Sequence, residues 1–209
     1  MTLKRDFGSE TELAATRGES SDEVLMVRVA EGDVEAYEAL YHRYRNRILT
    51  FVFRYVGDRD IAEDLAQEVF LKLYRSPRSF DPRNRFMTWL FTVARNLAID
   101  HLRKKKPATA LTQEGEDGEF SLEPPEPLNQ GPVDKTLLKE MEENLQSILM
   151  TLSDKLREVF VLCAMQGLAY EEVAQIVGCP AKTVSSRLAR ARRRFVEELD
   201  PYLSGKKSP

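Results

Sequence analysis

Two histidines and two cysteines are all this 209-residue chain offers toward metal or thiol chemistry. His42 and His101 have no ligand spacing, and Cys163 and Cys179 form no CxxC and pair with no histidine. No metal site and no cofactor are therefore expected. A Ser/His/Asp arrangement, a phosphate loop and paired catalytic acids are also missing, which excludes the common enzyme classes. No apolar run approaches the ~20 residues of a membrane span, and the N-terminus lacks the apolar core of a signal peptide. No direct membrane insertion is expected. With cysteine so sparse, a reducing, cytoplasmic location is the simplest expectation. Nor does any segment alternate with period two for long enough to make a strand, so the fold class is all-α.

What is present is charge, and it is segregated. The net charge of −3 conceals blocks of opposite sign. From Pro107 to Asp134 there is no lysine or arginine, while Glu114, Glu116, Asp117, Glu119, Glu123, Glu126 and Asp134 alternate with prolines and glycines. Such a segment cannot bury enough apolar surface to order itself, so 107–132 reads as a flexible acidic linker. From Val69 to Lys106 the balance reverses. Lys72, Arg75, Arg78, Arg83, Arg85, Arg95, Arg103 and Lys104–Lys106 face only Asp81 and Asp100. The expected organisation is a flexible tail over 1–20, a helical domain over 21–106, the linker, a second small helical domain over 133–203, and a tail over 204–209. Two basic surfaces on one tethered chain point to two nucleic-acid contacts.

In the first domain the pattern predicts a short helix at Asp22–Ala30 and a longer one, capped by Asp33, burying Ala36, Leu40, Tyr44, Ile48, Phe51 and Tyr55. A third helix, about Arg59–Arg75, turns Ile61, Leu65, Val69 and Leu73 inward. A loop over Ser76–Arg85 follows, and a fourth helix, about Phe86–Lys105, buries Trp89, Leu90, Val93, Leu97 and Leu102. On the third helix Asp64, Gln67, Glu68 and Phe70 form a mixed polar and apolar patch. The basic loop leads into an aromatic cluster of Phe80, Phe86, Trp89 and Phe91, and aromatics beside arginine are what unpaired bases stack on. Arg95, Asn96 and Asp100 lie on the fourth helix beside the Arg103–Lys106 run, where Asn and Arg can read base edges and lysines can hold phosphates.

The second domain ends in Leu168–Ala191, laid out as a helix-turn-helix. Tyr170–Val177 is a short amphipathic helix, Gly178 supplies the tight exit, and Pro180 opens the next helix. Val184, Leu188, Ala191 and Phe195 make its inward stripe. Lys182, Ser185, Ser186, Arg190 and Arg193 fall off that stripe and face a partner. A helix so presented suits a DNA major groove.

These residues resemble a known family. AYEALYHRYRNRI, GDRDIAEDLAQEVFLKLY and TWLFTVARNLAIDHLRKKK are similar to region two of bacterial sigma factors, and LSDKLREVFVLCAMQGLAYEEVAQIVGCPAKTVSSRLARARRRF to region four. With only the linker between them, the chain resembles the extracytoplasmic-function group. The resemblance implies a specificity subunit that binds core RNA polymerase, through its beta and beta-prime subunits, and promoter DNA. An anti-sigma factor is a further partner it implies. Asp64, Gln67, Glu68 and Phe70 match the patch that docks on the polymerase clamp. Arg83, Asn84 and Arg85 in the loop, with Phe86, Trp89, Arg95, Asn96, Asp100 and Arg103 on the helix, match the part that opens and holds the minus-ten element. Lys182, Thr183, Ser185, Ser186, Arg187 and Arg190 match the helix that enters the minus-thirty-five element. Ser185 stands where Lys or Arg is common, and Lys182 where Gly is frequent. A stand-alone helix-turn-helix regulator is the alternative. It explains Leu168–Ala191 but not the basic first domain with DLAQEVF.

The linker fits the first reading by size. Its r.m.s. span as a free coil is ~30 Å, its extended limit ~90 Å, and two promoter elements about two helical turns apart are separated by ~70 Å. The linker must therefore be drawn out, and its acidity is expected to mimic nucleic acid in the polymerase and to shield the basic faces of the free chain.

Overall fold

The computed structural model describes residues 20–105 and 135–203. The readings of the linker and of the two tails lie outside the described residues. Within them all regular structure is helical, as expected: α1 (Asp22–Ala30), α2 (Val34–Val56), α3 (Arg59–Arg75), a 3-10 turn (Pro77–Ser79), α4 (Phe86–Lys105), α5 (Lys135–Thr151), α6 (Asp154–Phe160) running into a π turn (Val161–Met165), α7 (Tyr170–Val177) and α8 (Ala181–Leu203).

Local chemistry sets the helix ends. The Asp33 carboxylate accepts from the Ala36 amide at 3.1 Å and that of Asp58 from Ile61 at 3.1 Å, each satisfying an amide the helix leaves unpaired. Gly57 ends α2 in the left-handed region at φ 83° and donates its N–H to the Phe53 carbonyl. The predicted inward stripe of α2 is buried from Ala36 to Tyr55. Ile61, Trp89, Leu97 and Leu102 are only partly buried and pack at the rim of the core. Ile61 lies in the first turn of its helix and Trp89 at the loop end of α4, where the covering layer stops.

The two halves share one continuous core. α2 packs on α5, α6 and the π turn, and α4 lies along α7. Arginines stitch this junction. Arg54, buried on α2, donates to Glu142 Oε1 at 3.1 Å and Gln146 Oε1 at 3.2 Å. Buried Arg157 reaches the Tyr55 carbonyl at 2.8 Å and the Leu152 carbonyl at 3.0 Å. Arg47 donates to the Gln166 carbonyl at 2.9 Å. Backbone carbonyls and side-chain amides take up much of this charge, so the junction is polar as domain interfaces usually are.

Candidate nucleic-acid and partner interfaces

On α3 the core stripe Leu65, Val69 and Leu73 leaves Asp64, Gln67 and Glu68 exposed on the opposite face. Phe70 does not join them. It is buried, its ring edge-on to Tyr41 at 4.9 Å, and it supports the patch from beneath. The exposed apolar groups of that helix are Leu71 and Tyr74, 46% and 56% exposed. Sequence reasoning missed both. The available signal was their spacing, since Leu71 and Tyr74 continue the face of Asp64, Gln67 and Glu68 at helical intervals.

The loop between α3 and α4 is built on its own hydrogen bonds. Asp81 accepts from the Arg83 amide at 3.0 Å and from the Arg83 guanidinium at 2.6 Å. These bonds hold the Asp81 carboxyl at about 2, well below the usual carboxylate range. Arg83 and Asn84 stay exposed. Phe86 is fully buried, with Tyr44, Phe80 and Trp89 rings 5.4, 5.9 and 6.0 Å from it. Phe91 is equally buried, against Phe51 at 5.3 Å. Neither Phe86 nor Phe91 offers a face to a base in this arrangement. The hydrophobic effect claims both because they lie on the inward side of α4. Trp89 is only partly buried.

The remaining residues of α4 divide between two faces. Trp89, Asn96, Asp100 and Arg103 are spaced to share one side of the helix, and the last three are exposed. Arg95 lies on another side, its Nε 2.8 Å from Glu158 Oε2. Arg85 Nη1 is 2.7 Å from Glu172 Oε1. Glu158 is almost fully enclosed, and burial raises its pKa against the lowering effect of Arg95. Two of the basic residues expected at the minus-ten element thus carry carboxylates from the other half of the chain.

The helix-turn-helix forms as expected. Gly178 sits at φ 71° and donates to the Ala174 carbonyl at 2.9 Å, and a Cβ there would meet no neighbour within 4 Å. Glu172 closes the head of α7 by accepting from the Ala169 amide at 2.9 Å. Val184, Leu188 and Ala191 are buried, and Phe195 stacks on Phe160 at 4.9 Å. Lys182 and Ser185 are exposed, and Thr183, Ser186, Arg187 and Arg190 are half-buried on the same helix. The Ser186 hydroxyl donates to the Thr183 carbonyl at 3.1 Å, and Arg187 leans over the Cys179 sulfur at 3.8 Å. None of the helices among the described residues is long and apolar enough to cross a membrane.

Comparison with known proteins follows the same two halves. Residues 40–107 match the model of Sigma-70 region 2, and residues 142–195 that of Sigma-70, region 4. The RNA polymerase sigma-H factor of Pseudomonas aeruginosa is 35% identical over 191 residues, covering 88% of this chain and 97% of that protein. The ECF RNA polymerase sigma factor SigW of Bacillus subtilis is 33% identical over 174 residues, covering 82% and 93%. Among solved structures, the sigma factor RpoE bound to the anti-sigma factor NepR from Bartonella quintana superposes with a TM-score of 0.61 at 26% identity, over 80% of this chain and 98% of that one.

Proposed function

The chain belongs to the extracytoplasmic-function group of bacterial RNA polymerase sigma factors, and from that premise we propose which of its faces meets which partner. A sigma factor of this kind directs core RNA polymerase to promoters and starts transcription, while the polymerase supplies the phosphodiester chemistry. The exposed face of α3, Asp64, Gln67 and Glu68 with Leu71 and Tyr74 beside them, docks on the beta-prime clamp. Phe70 shapes it from within. Domain 21–106 opens the minus-ten element with the loop through Arg83, Asn84 and Arg85 and the α4 face of Trp89, Asn96, Asp100 and Arg103. Domain 133–203 sets Lys182, Thr183, Ser185, Ser186, Arg187 and Arg190 toward the minus-thirty-five element. The free protein works in the cytoplasm under an anti-sigma factor, a reading supported by the Bartonella complex.

The observation that carries this reading is the exposure of an Asn-, Asp- and Arg-bearing helix face in one half and of a basic helix-turn-helix in the other, in the family's order. The packed form is a resting form. A compact fold of this many residues has a radius of gyration of about 15 Å, hence a width of roughly 40 Å, whereas two promoter elements about two helical turns apart are separated by ~70 Å. The halves must separate on the polymerase, freeing Arg85 and Arg95 for phosphate. Run-off transcription with core polymerase, with and without the chain, tests the proposal on a panel of promoter templates. A promoter-dependent gain is expected, and its absence across the panel would refute the function.

A further inference from the structure

We propose that Glu23 is a positioning residue for promoter opening: its carboxylate, carried on α1, caps the first turn of α4 and so fixes the end of the loop that enters the minus-ten element. The inference rests on the functional reading above, in which that loop and helix open the promoter. Glu23 lies ahead of the stretch that matches Sigma-70 region 2, which begins at residue 40.

The Phe86 amide donates to Glu23 Oε1 at 3.0 Å, across 63 positions of chain. Trp89 donates to the Arg85 carbonyl at 3.2 Å, so the Phe86 amide precedes the first amide taken up inside the helix and needs an outside partner. α4 has no acidic residue of its own in its first turn. A carboxylate from elsewhere therefore meets both the open amide and the positive end of the helix dipole. The amide of Phe86 is the largest cause of the lowered pKa of Glu23, and the charge of Arg85 adds to it.

Glu23 is itself held firmly. Ser21 caps α1, and Leu25, Met26 and Val29 anchor that helix in the core. α1 also packs on the Pro77–Ser79 turn and on α4. The neighbouring carboxylate completes the grip. Asp22 accepts from the Tyr44 hydroxyl and from Arg43, and the Tyr44 ring packs edge-on to Phe86 at 5.4 Å. Phe86 is thus held by its amide through Glu23 and by its ring through Asp22 and Tyr44. Phe80 at the near end of the loop and Trp89 on the reading face both lean on that ring. Releasing the amide would let the loop end and Trp89 move together, while leaving the clamp-facing side of α3 in place.

The test uses the full chain assembled with core polymerase. Glu23→Ala and Glu23→Gln are compared with wild type for affinity to core, permanganate reactivity of unpaired thymines on a duplex promoter, and transcription from the same promoter with its minus-ten region already unpaired. Glu23→Ala is expected to bind core as wild type does and to transcribe the pre-opened template fully, but to open the duplex about tenfold more slowly, as loss of one charged hydrogen bond implies. Glu23→Gln keeps an acceptor oxygen and should recover most of that rate. Duplex opening by Glu23→Ala at the wild-type rate would overturn the inference. So would equal losses on duplex and pre-opened templates, which would mark a purely structural role. A wild-type chain that initiates on neither template would overturn the functional reading instead.

Discussion

Phe86 and Asn96 sit ten residues apart on one helix, and their surroundings assign them opposite tasks. Phe86 has no exposed surface, whereas Asn96 is exposed. Phe86→Ala should lower unfolding stability by about 3–5 kcal/mol, the usual result of emptying an aromatic core site. Asn96→Ala should change stability by no more than about 0.5 kcal/mol and yet weaken promoter binding by the holoenzyme. Denaturant unfolding and a promoter-binding titration separate the two. Charge at the loop is equally local. The Asp81 carboxyl, at about 2, lies below its ordinary value of 3.8 because Arg83 bonds its ionised form. A lowered folded value means this contribution is complete above the ordinary pKa and is lost as pH falls through about 2. NMR titration should place Asp81 near that value, and Arg83→Ala should return it toward 3.8. Burial pushes the Cys163 thiol up to about 11. It is therefore protonated at neutral pH and poorly nucleophilic. Iodoacetamide at neutral pH should label it far more slowly in the folded chain than after unfolding, and mass spectrometry reads the difference.

At the scale of elements, the end of α2 shows how a helix exit can also serve as a joint. Gly57 closes α2 at φ 83°, and a Cβ there would stand 2.8 Å from the Met150 sulfur on α5. The methionine tip can swing away, so backbone strain in the left-handed region decides the outcome. Gly57→Ala should lose about 1–2 kcal/mol of stability in thermal or chemical unfolding, and Gly57→Ala with Met150→Ala should recover little of it. Full recovery in the double variant would mean the methionine contact, not the turn, requires the glycine. The helix ends were legible in the sequence because caps and turns draw on residues a few positions apart. Asp33 and Gly178 announce themselves in this way. Phe70 and Phe86 were expected at partner surfaces and are buried; an aromatic near a functional motif looks the same on either side of its helix until the packing partner is known.

The whole molecule adds a constraint that neither half contains. Glu158 and Glu172, both largely enclosed, occupy the guanidiniums of Arg95 and Arg85, so under the proposed function promoter phosphates would have to displace carboxylates of the protein's own second half. Breaking one partner of the enclosed Arg95–Glu158 pair costs about 3–5 kcal/mol, whereas Arg85 is 73% exposed and its pair with Glu172 contributes about 1 kcal/mol or less. Glu158→Gln with Glu172→Gln should therefore loosen the packed form, enlarge the solution radius of gyration, and raise the affinity of the free chain for a minus-ten single strand. An unchanged radius and affinity across a salt titration would show that these pairs do not restrain the halves. The described residues thus place shielding carboxylates in folded helices, while the shielding expected of the linker lies outside them.

The amino-acid sequence by itself determined the all-α class, the helix ends, the order of the two halves and their kinship, since all of these depend on local periodicity, capping and contiguous motifs. Tertiary structure alone decided which side of α4 faces outward, which arginines are already engaged, and that a carboxylate on α1 caps a helix beginning at Phe86. The physical reason is distance along the chain. Glu23 meets Phe86 across 63 positions and Arg47 meets Gln166 across 119, and no local pattern encodes a partner so far away. Such pairings follow only when burial of the shared core brings those segments together.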